Sequence, residues 1–171
     1  MRYIHATDLT ASELTTLSIL FVIIFNIIKA KGEFMDAGNG FFYNLDYKTR
    51  DSLLKLEINW EDKAMTRRII RYEPIKIDVL KKLIEMRFIN LEEQQNNAPK
   101  VQDFYEFLVR YPNVLVYGYV VSPFRKDYRV SIEGMIVNDQ DVDKLLMEEF
   151  LEFSKTADQV RIDEGLVCWW D

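Results

Sequence analysis

The chain has 171 residues, of which 49% are hydrophobic and 13% aromatic, and its net charge is −6. This composition indicates a folded globular protein rather than a disordered chain, and the acidic balance disfavours general binding to nucleic acid or to an anionic membrane surface. Because there is one cysteine and one histidine, an internal disulfide is excluded and a Cys/His zinc site is disfavoured, so we expect a cytoplasmic protein without metal or cofactor.

The first predicted element is an apolar helix over Leu14–Ile28, which Glu13 and Lys29 bound. Its 15 uncharged residues are fewer than the roughly 20 that a membrane span needs. Thr10 and Glu13 form a capping box, and Lys29 lies where a cation suits the helix dipole. We therefore expect a buried core helix, with a membrane anchor as the alternative.

Residues 46–73 give mixed signals. Asp46 suits the start of a helix that runs to Leu53. Residues 54–60 alternate in polarity, which is typical of a strand. Three apolar residues that follow, Met65, Ile69 and Tyr72, recur at helical spacing, and Pro74 would end such a helix. We expect helices in this region, with a strand as the alternative.

Two further helices are clearer, one beginning near Asp78 and one after Pro99. The polar loop 92–98 between them is the preferred internal boundary. We expect a single domain over residues 1–171. If the chain divides, residues 1–98 form a mostly helical part and residues 99–171 an α-ββ-α-ββ part.

The C-terminal part changes character, with β-branched and aromatic runs separated by turn residues. Two hairpins with a helix between them are expected. Their elements are predicted at residues 113–121, 128–137, 139–154, 159–162 and 166–170. The sequence thus predicts an α+β fold, in which a helix-rich N-terminal part packs on a C-terminal antiparallel sheet of ββαββ order.

A polar face on the first hairpin is the candidate ligand-binding site. If Val121 pairs with Tyr128, then Tyr119 opposes Val130 and the polar side chains share the other face. We expect two glycines, Gly118 and Gly134, to leave room on that face. The predicted binding residues are Arg125, Asp127, Arg129, Ser131 and Glu133. They form either a shallow pocket for a small acidic or peptide ligand, or a solvated sheet face with cross-strand ion pairs.

Other chemistry-bearing residues carry weaker signals. His5 lacks a catalytic partner at a recognisable spacing, and Cys168 is expected to be a buried, inert thiol. The basic cluster over residues 66–71 is interpreted as a solvated helix face. Adjacent strand residues point to opposite faces, so one of Trp169 and Trp170 faces the core and the other is covered, by the N-terminal helices or at an interface with a second copy.

The leading hypothesis is a non-catalytic, intracellular protein-binding or regulatory domain, because no catalytic set can be assembled from the sequence. An acidic domain of this kind associates rapidly with a basic protein, and an immunity-type role fits the same physics. The alternatives are an enzyme or small-ligand-binding protein that uses the polar face, and a membrane-associated protein anchored by Leu14–Ile28.

Overall fold

The computed structural model of the protein describes residues 34–36, 38 and 40–171. The predicted helix over Leu14–Ile28 and the residue His5 lie outside these described residues. Among the helices that the structure does describe, none has the length and hydrophobicity needed to cross a bilayer.

The described residues form four α-helices, seven strands and one short 3₁₀ helix. The helices are α1 (Tyr47–Leu53), α2 (Ile77–Glu85), α3 (Val101–Arg110) and α4 (Lys144–Phe153), with the 3₁₀ helix at Asp139–Asp141. The strands are β1 (Phe34–Asp36), β2 (Phe42–Asn44), β3 (Ile69–Ile75), β4 (Leu115–Val121), β5 (Val130–Val137), β6 (Gln159–Arg161) and β7 (Leu166–Trp169).

The strands form a five-stranded antiparallel sheet in the order β3-β4-β5-β7-β6, and a separate pair, β1-β2. The predicted α+β class and antiparallel sheet are therefore confirmed. The finer prediction, a helix-rich N-terminal part packed on a ββαββ unit, is not confirmed. The chain before α3 supplies three of the described strands, and one of them, β3, extends the sheet at the β4 edge.

The expectation of helices over residues 46–73 is right for α1 and wrong for Ile69–Ile75. The side chain of Asp46 accepts a hydrogen bond from the Thr49 backbone at 3.2 Å, which caps α1. The run up to Pro74 is instead the edge strand β3, whose register shifts between Tyr72 and Ile75. A proline is tolerated at such an irregular edge position, since its missing donor interrupts no central ladder.

Helices α2, α3 and α4 pack on one face of the sheet, which we call the inner face; the opposite face is the outer face. Their apolar stripes meet alternate residues of the strands in one buried cluster, and this burial is the main stabilising contribution. The cluster includes Leu80, Leu83, Phe104, Phe107, Phe150, Val116, Val120, Val130, Ile132, Met135 and Cys168.

The register of the β4-β5 hairpin differs from the predicted one. Tyr119 pairs with Ser131 rather than with Val130, and the pairing shifts again between Tyr117 and Gly118. The extra residue on β5 is Glu133, so a β-bulge lies at the centre of the sheet. A one-residue slip moves the side chains of one strand to the other face of the sheet. Tyr119 therefore lies on the same face as the polar side chains, although it was predicted to lie on the opposite one.

A buried ion pair fixes the end of β4. Arg50 is fully buried, and its Nε donates to Asp51 Oδ1 at 2.8 Å while Nη1 donates to the carbonyl of Val121 at 3.0 Å. The Trp60 indole N–H donates to Asp51 Oδ2 at 2.6 Å. The rings of Trp60 and Tyr128 flank the guanidinium, with centroids 5.4 and 5.1 Å from it. Removal of either charge would leave the other one buried and unpaired.

Candidate ligand-binding site

The outer face of the sheet carries an aromatic and polar row. The observed register and the alternation of strand side chains place on it the residues Arg71, Tyr117, Tyr119, Ser131, Gly134 and Trp169. Two groups of side chains extend from this row. One is centred on Glu93 and the other on Glu133.

The Glu93 carboxylate holds the first group together. Its Oε2 accepts from the Tyr43 hydroxyl at 2.9 Å, and its Oε1 accepts from the Ser131 hydroxyl at 3.0 Å. The Arg129 Nε lies 3.2 Å from the same Oε1, and Arg129 Nη2 donates to the Tyr119 hydroxyl at 2.9 Å. Burial raises the pKa of Glu93, and these partners partly offset the cost of burying its charge.

The same group continues toward the β4-β5 turn. Arg125 binds Asp127 through both carboxylate oxygens, at 2.8 and 2.7 Å, and Arg125 Nη1 donates to the carbonyl of Arg67. Asp127 Oδ2 also lies 3.4 Å from Arg129. The bidentate arginine contact lowers the pKa of Asp127 to about 2.

Four of the five predicted binding residues, Arg125, Asp127, Arg129 and Ser131, thus belong to one chain of ion pairs and hydrogen bonds. We call it the Glu93 network. Each carboxylate in it faces an arginine, and Ser131 is only 1% exposed. These contacts are those of a structural network that ties the hairpin to the Glu93 loop.

Glu133, the fifth predicted residue, lies apart in a cavity of about 390 Å³. We call this the Glu133 cavity, and its lining residues are Arg71, Tyr117, Glu133, Trp169, Trp170 and Asp171. The bulge aims the Glu133 side chain away from the ladder, while its backbone carbonyl accepts from the Trp170 N–H at 2.9 Å.

The predicted space beside the two glycines is filled by other groups. A Cβ on Gly118 would lie 2.0 Å from the carbonyl oxygen of Ser131, so glycine is required by the close backbone approach at the bulge. A Cβ on Gly134 would lie 2.6 Å from the ring of Tyr117, which covers this position and donates to the Cys168 carbonyl at 3.1 Å. The cavity therefore results from the bulge and the aromatic walls, not from missing side chains.

The electrostatics of the Glu133 cavity are unbalanced. The Glu133 side chain is only 15% exposed, and its ion pair is a 3.4 Å contact with the Nε of Arg71, whose side chain is 81% exposed. Burial raises the pKa of Glu133, the charge of Arg71 opposes this rise, and the charge of Asp171 adds to it. A largely buried carboxylate is thus held by a long, solvated side chain that can leave at little cost.

The two C-terminal tryptophans occupy opposite faces. Trp170 is 1% exposed, its ring packs edge-on against Phe104 at 5.5 Å, and its indole N–H donates to Thr156. It is a core residue, so its ring is not available to a partner as an interface residue would be. Trp169 is partly exposed and lines the Glu133 cavity, and the interface hypothesis applies to this residue alone.

The described residues contain no group of three or more His, Cys, Asp or Glu side chains arranged to hold a metal ion. Cys168 is buried, and burial raises the pKa of its thiol to about 12, so its thiolate is scarce at neutral pH. The Ser131 hydroxyl donates to Glu93 but lies out of reach of a substrate.

Several residues of the two groups were missed from the sequence. Tyr117 and Tyr119 flank Gly118 at strand spacing and were predicted to share a face, but the wrong register placed that face opposite the polar side chains. Arg71 was assigned to a helix face, which separated it from Glu133. Glu93 lies in a polar loop, and no local pattern links it to β5.

Comparison with known proteins gives no relative from which a role could be inferred: no family model, no curated protein and no solved structure matches this chain.

Proposed function

We propose that this chain is a non-catalytic protein-binding domain, of regulatory or immunity type, that contacts its partner through the outer face of the sheet around the Glu133 cavity. The observation that carries the proposal is the pairing of a largely buried carboxylate with a solvated arginine beside two partly exposed aromatic side chains, Tyr117 and Trp169. Aromatic residues and desolvated charges at the centre of a patch supply much of the affinity of protein interfaces.

The net charge supports a basic protein as the partner. At −6, the chain attracts a cationic surface over long range, which raises the association rate. A second copy of this chain carries the same charge, and repulsion between like charges disfavours a homodimer. The same repulsion disfavours nucleic acid, so a basic protein is the preferred class of partner.

Small-ligand binding is the second candidate function. The volume of the Glu133 cavity, about 390 Å³, lies within the range of roughly 300–1,000 Å³ that is usual for ligand sites. A small amine or guanidine would find the same carboxylate and rings. The enzyme version of this hypothesis has less support, because the Ser131 hydroxyl is buried and the Glu93 carboxylate is already engaged by three side chains.

The proposal is tested by comparing Glu133→Gln with wild type. We expect immobilised wild-type protein to retain a protein from native lysate that the Glu133→Gln variant does not retain. Glu148→Gln is the matched control, since Glu148 is exposed on α4, pairs with Lys144 and has the same charge. Equal retention by all three proteins would contradict a role for the cavity.

Binding kinetics then test the electrostatic part of the proposal. The association rate of the retained protein with wild type should fall at least about tenfold as ionic strength rises from about 0.01 to about 0.15 M, because salt screens long-range attraction. A rate that does not change with salt would remove the argument from net charge.

A further inference from the structure

We infer that the Glu133 cavity recognises an arginine side chain of the partner protein, and that Arg71 is an internal competitor which occupies the carboxylate until the partner displaces it. This inference rests on the proposed function, because it specifies what the same site binds. In the free protein, the Arg71–Glu133 ion pair thus occupies the position that the partner's arginine takes in the complex.

The first support is the weak contact between Arg71 and Glu133. Arg71 Nε approaches Glu133 Oε2 to 3.4 Å, while most of the Arg71 side chain remains in solvent. The carboxylate is thus accessible to a guanidinium, and the resident one is weakly held because exposed ion pairs contribute little. An incoming arginine would release Arg71 to water and keep the charge of Glu133 compensated.

The second support is the composition of the walls. Guanidinium is planar, weakly hydrated and able to stack on aromatic faces, which a compact lysine ammonium does less well. The cavity offers the rings of Trp169 and Tyr117 beside Glu133. The Tyr117 hydroxyl is engaged by the Cys168 carbonyl, and this contact holds its ring in place over Gly134.

The third support is a parallel inside the same protein. The buried Arg50 guanidinium is held by one carboxylate, one tryptophan and one tyrosine, namely Asp51, Trp60 and Tyr128. The Glu133 cavity presents the same three types of side chain at the surface. The charges also disfavour an anionic ligand, since the cavity lining has two carboxylates, Glu133 and Asp171, against one arginine, Arg71.

The probe is Nα-acetyl-arginine amide, with the neutral isostere Nα-acetyl-citrulline amide as its matched control. Binding is followed by NMR through the Trp169 indole N–H. The Trp60 indole serves as the internal reference, because it is buried, bonded to Asp51 and not part of the cavity lining. A ligand of this size is expected to bind with roughly millimolar affinity. We expect the arginine probe to shift the Trp169 signal and the citrulline probe to leave it unchanged.

Two variants should act in opposite directions. Glu133→Gln should weaken binding of the arginine probe at least about tenfold, because the charge-assisted contact is lost. Arg71→Ala should tighten it about two- to fivefold, because an exposed competitor is removed. Arg110→Ala makes the same charge change on α3 and should leave the affinity unchanged. Arg71 is exposed, so this variant tests the inference even if Glu133→Gln is destabilised.

Weaker binding in Arg71→Ala, or no Trp169 shift at saturating probe, would overturn the inference. If a partner protein still requires Glu133 in either case, the proposed function stands and only the arginine specificity fails. If the probe binds with the expected pattern but no protein requires Glu133, the protein source of the arginine is overturned and a free guanidine compound is the occupant.

Discussion

At the scale of single residues, the environment of each carboxylate decides its role. Asp127 and Glu133 lie six positions apart on the same hairpin, and both were predicted to bind a ligand. Asp127 has a bidentate contact with Arg125 and a low pKa, so its ionised form is stabilised by the fold. Glu133 has a raised pKa and a weakly held partner, so its ionised form can still be stabilised by a cation that binds it more closely than Arg71 does. The first arrangement favours structure and the second favours binding.

Arg125→Ala should raise the pKa of Asp127 from about 2 toward the ordinary aspartate value of about 3.9, because the dominant stabilising contact is lost. A carboxyl with a lowered pKa contributes stability that is present above its unfolded pKa and lost as the pH falls through its folded pKa. Wild type should therefore keep part of its free energy of unfolding as the pH falls from about 3.9 to about 2, and the Arg125→Ala variant should lose that part. NMR titration of the Asp127 carboxyl carbon measures the shift. Lys126→Ala is the control, and an unchanged pKa in Arg125→Ala would show that another contact dominates.

At the scale of elements, the sequence predicted most helices and strands and the two hairpins, but not the register of the first hairpin or the addition of β3 to the sheet. The start of α1 at Asp46, the segments of β4 and β5 and the C-terminal hairpin follow from caps, turns and alternation. Residue spacing was ambiguous because Ile69 and Tyr72 fit the helical period whereas Ile70 and Tyr72 fit the strand period, and Ile69–Ile75, with its β-branched residues, forms an edge strand. The register was not predictable, since a bulge at Glu133 depends on contacts between segments far apart in the chain.

Gly118→Ala should destabilise the protein by about 3 kcal/mol or prevent folding, because its Cβ would meet the Ser131 carbonyl oxygen at 2.0 Å, and backbone cannot yield as a side chain can. Gly40→Ala provides the contrast. A Cβ there meets nothing within 4 Å, but φ is +83°, so only a conformational cost of about 1 kcal/mol is expected. Urea unfolding measures both free energies. Equal losses in the two variants would show that the bulge does not constrain Gly118.

At the scale of the whole molecule, the candidate site combines parts that are distant in sequence. Glu133 could be predicted because it alternates with Ser131 on a recognisable strand. Its neighbours Arg71 and Trp169 come from β3 and β7, and only the sheet order β3-β4-β5-β7 brings them to the same face. In the proposed complex, the net charge of −6 would draw a cationic partner toward the site over long range, whereas the cavity would select the side chain that enters.

Binding of the arginine probe should weaken as the pH falls from neutrality through the pKa of Glu133. The cation requires the ionised carboxylate, and burial raises this pKa above the ordinary glutamate value, so the decline should begin at a higher pH than for an exposed glutamate. Well below that pKa the affinity should fall about tenfold per pH unit, since binding must then release one proton.

Arg71→Ala sharpens this test of the cavity. Removal of the Arg71 charge, which opposes the rise in the pKa of Glu133, should move the decline to a still higher pH, although the affinity of this variant at neutral pH is higher than that of wild type. The weak residual binding of Glu133→Gln should be independent of pH over the same range. An affinity that rises on acidification, or an identical profile in wild type and Glu133→Gln, would show that the probe is held by a group other than Glu133.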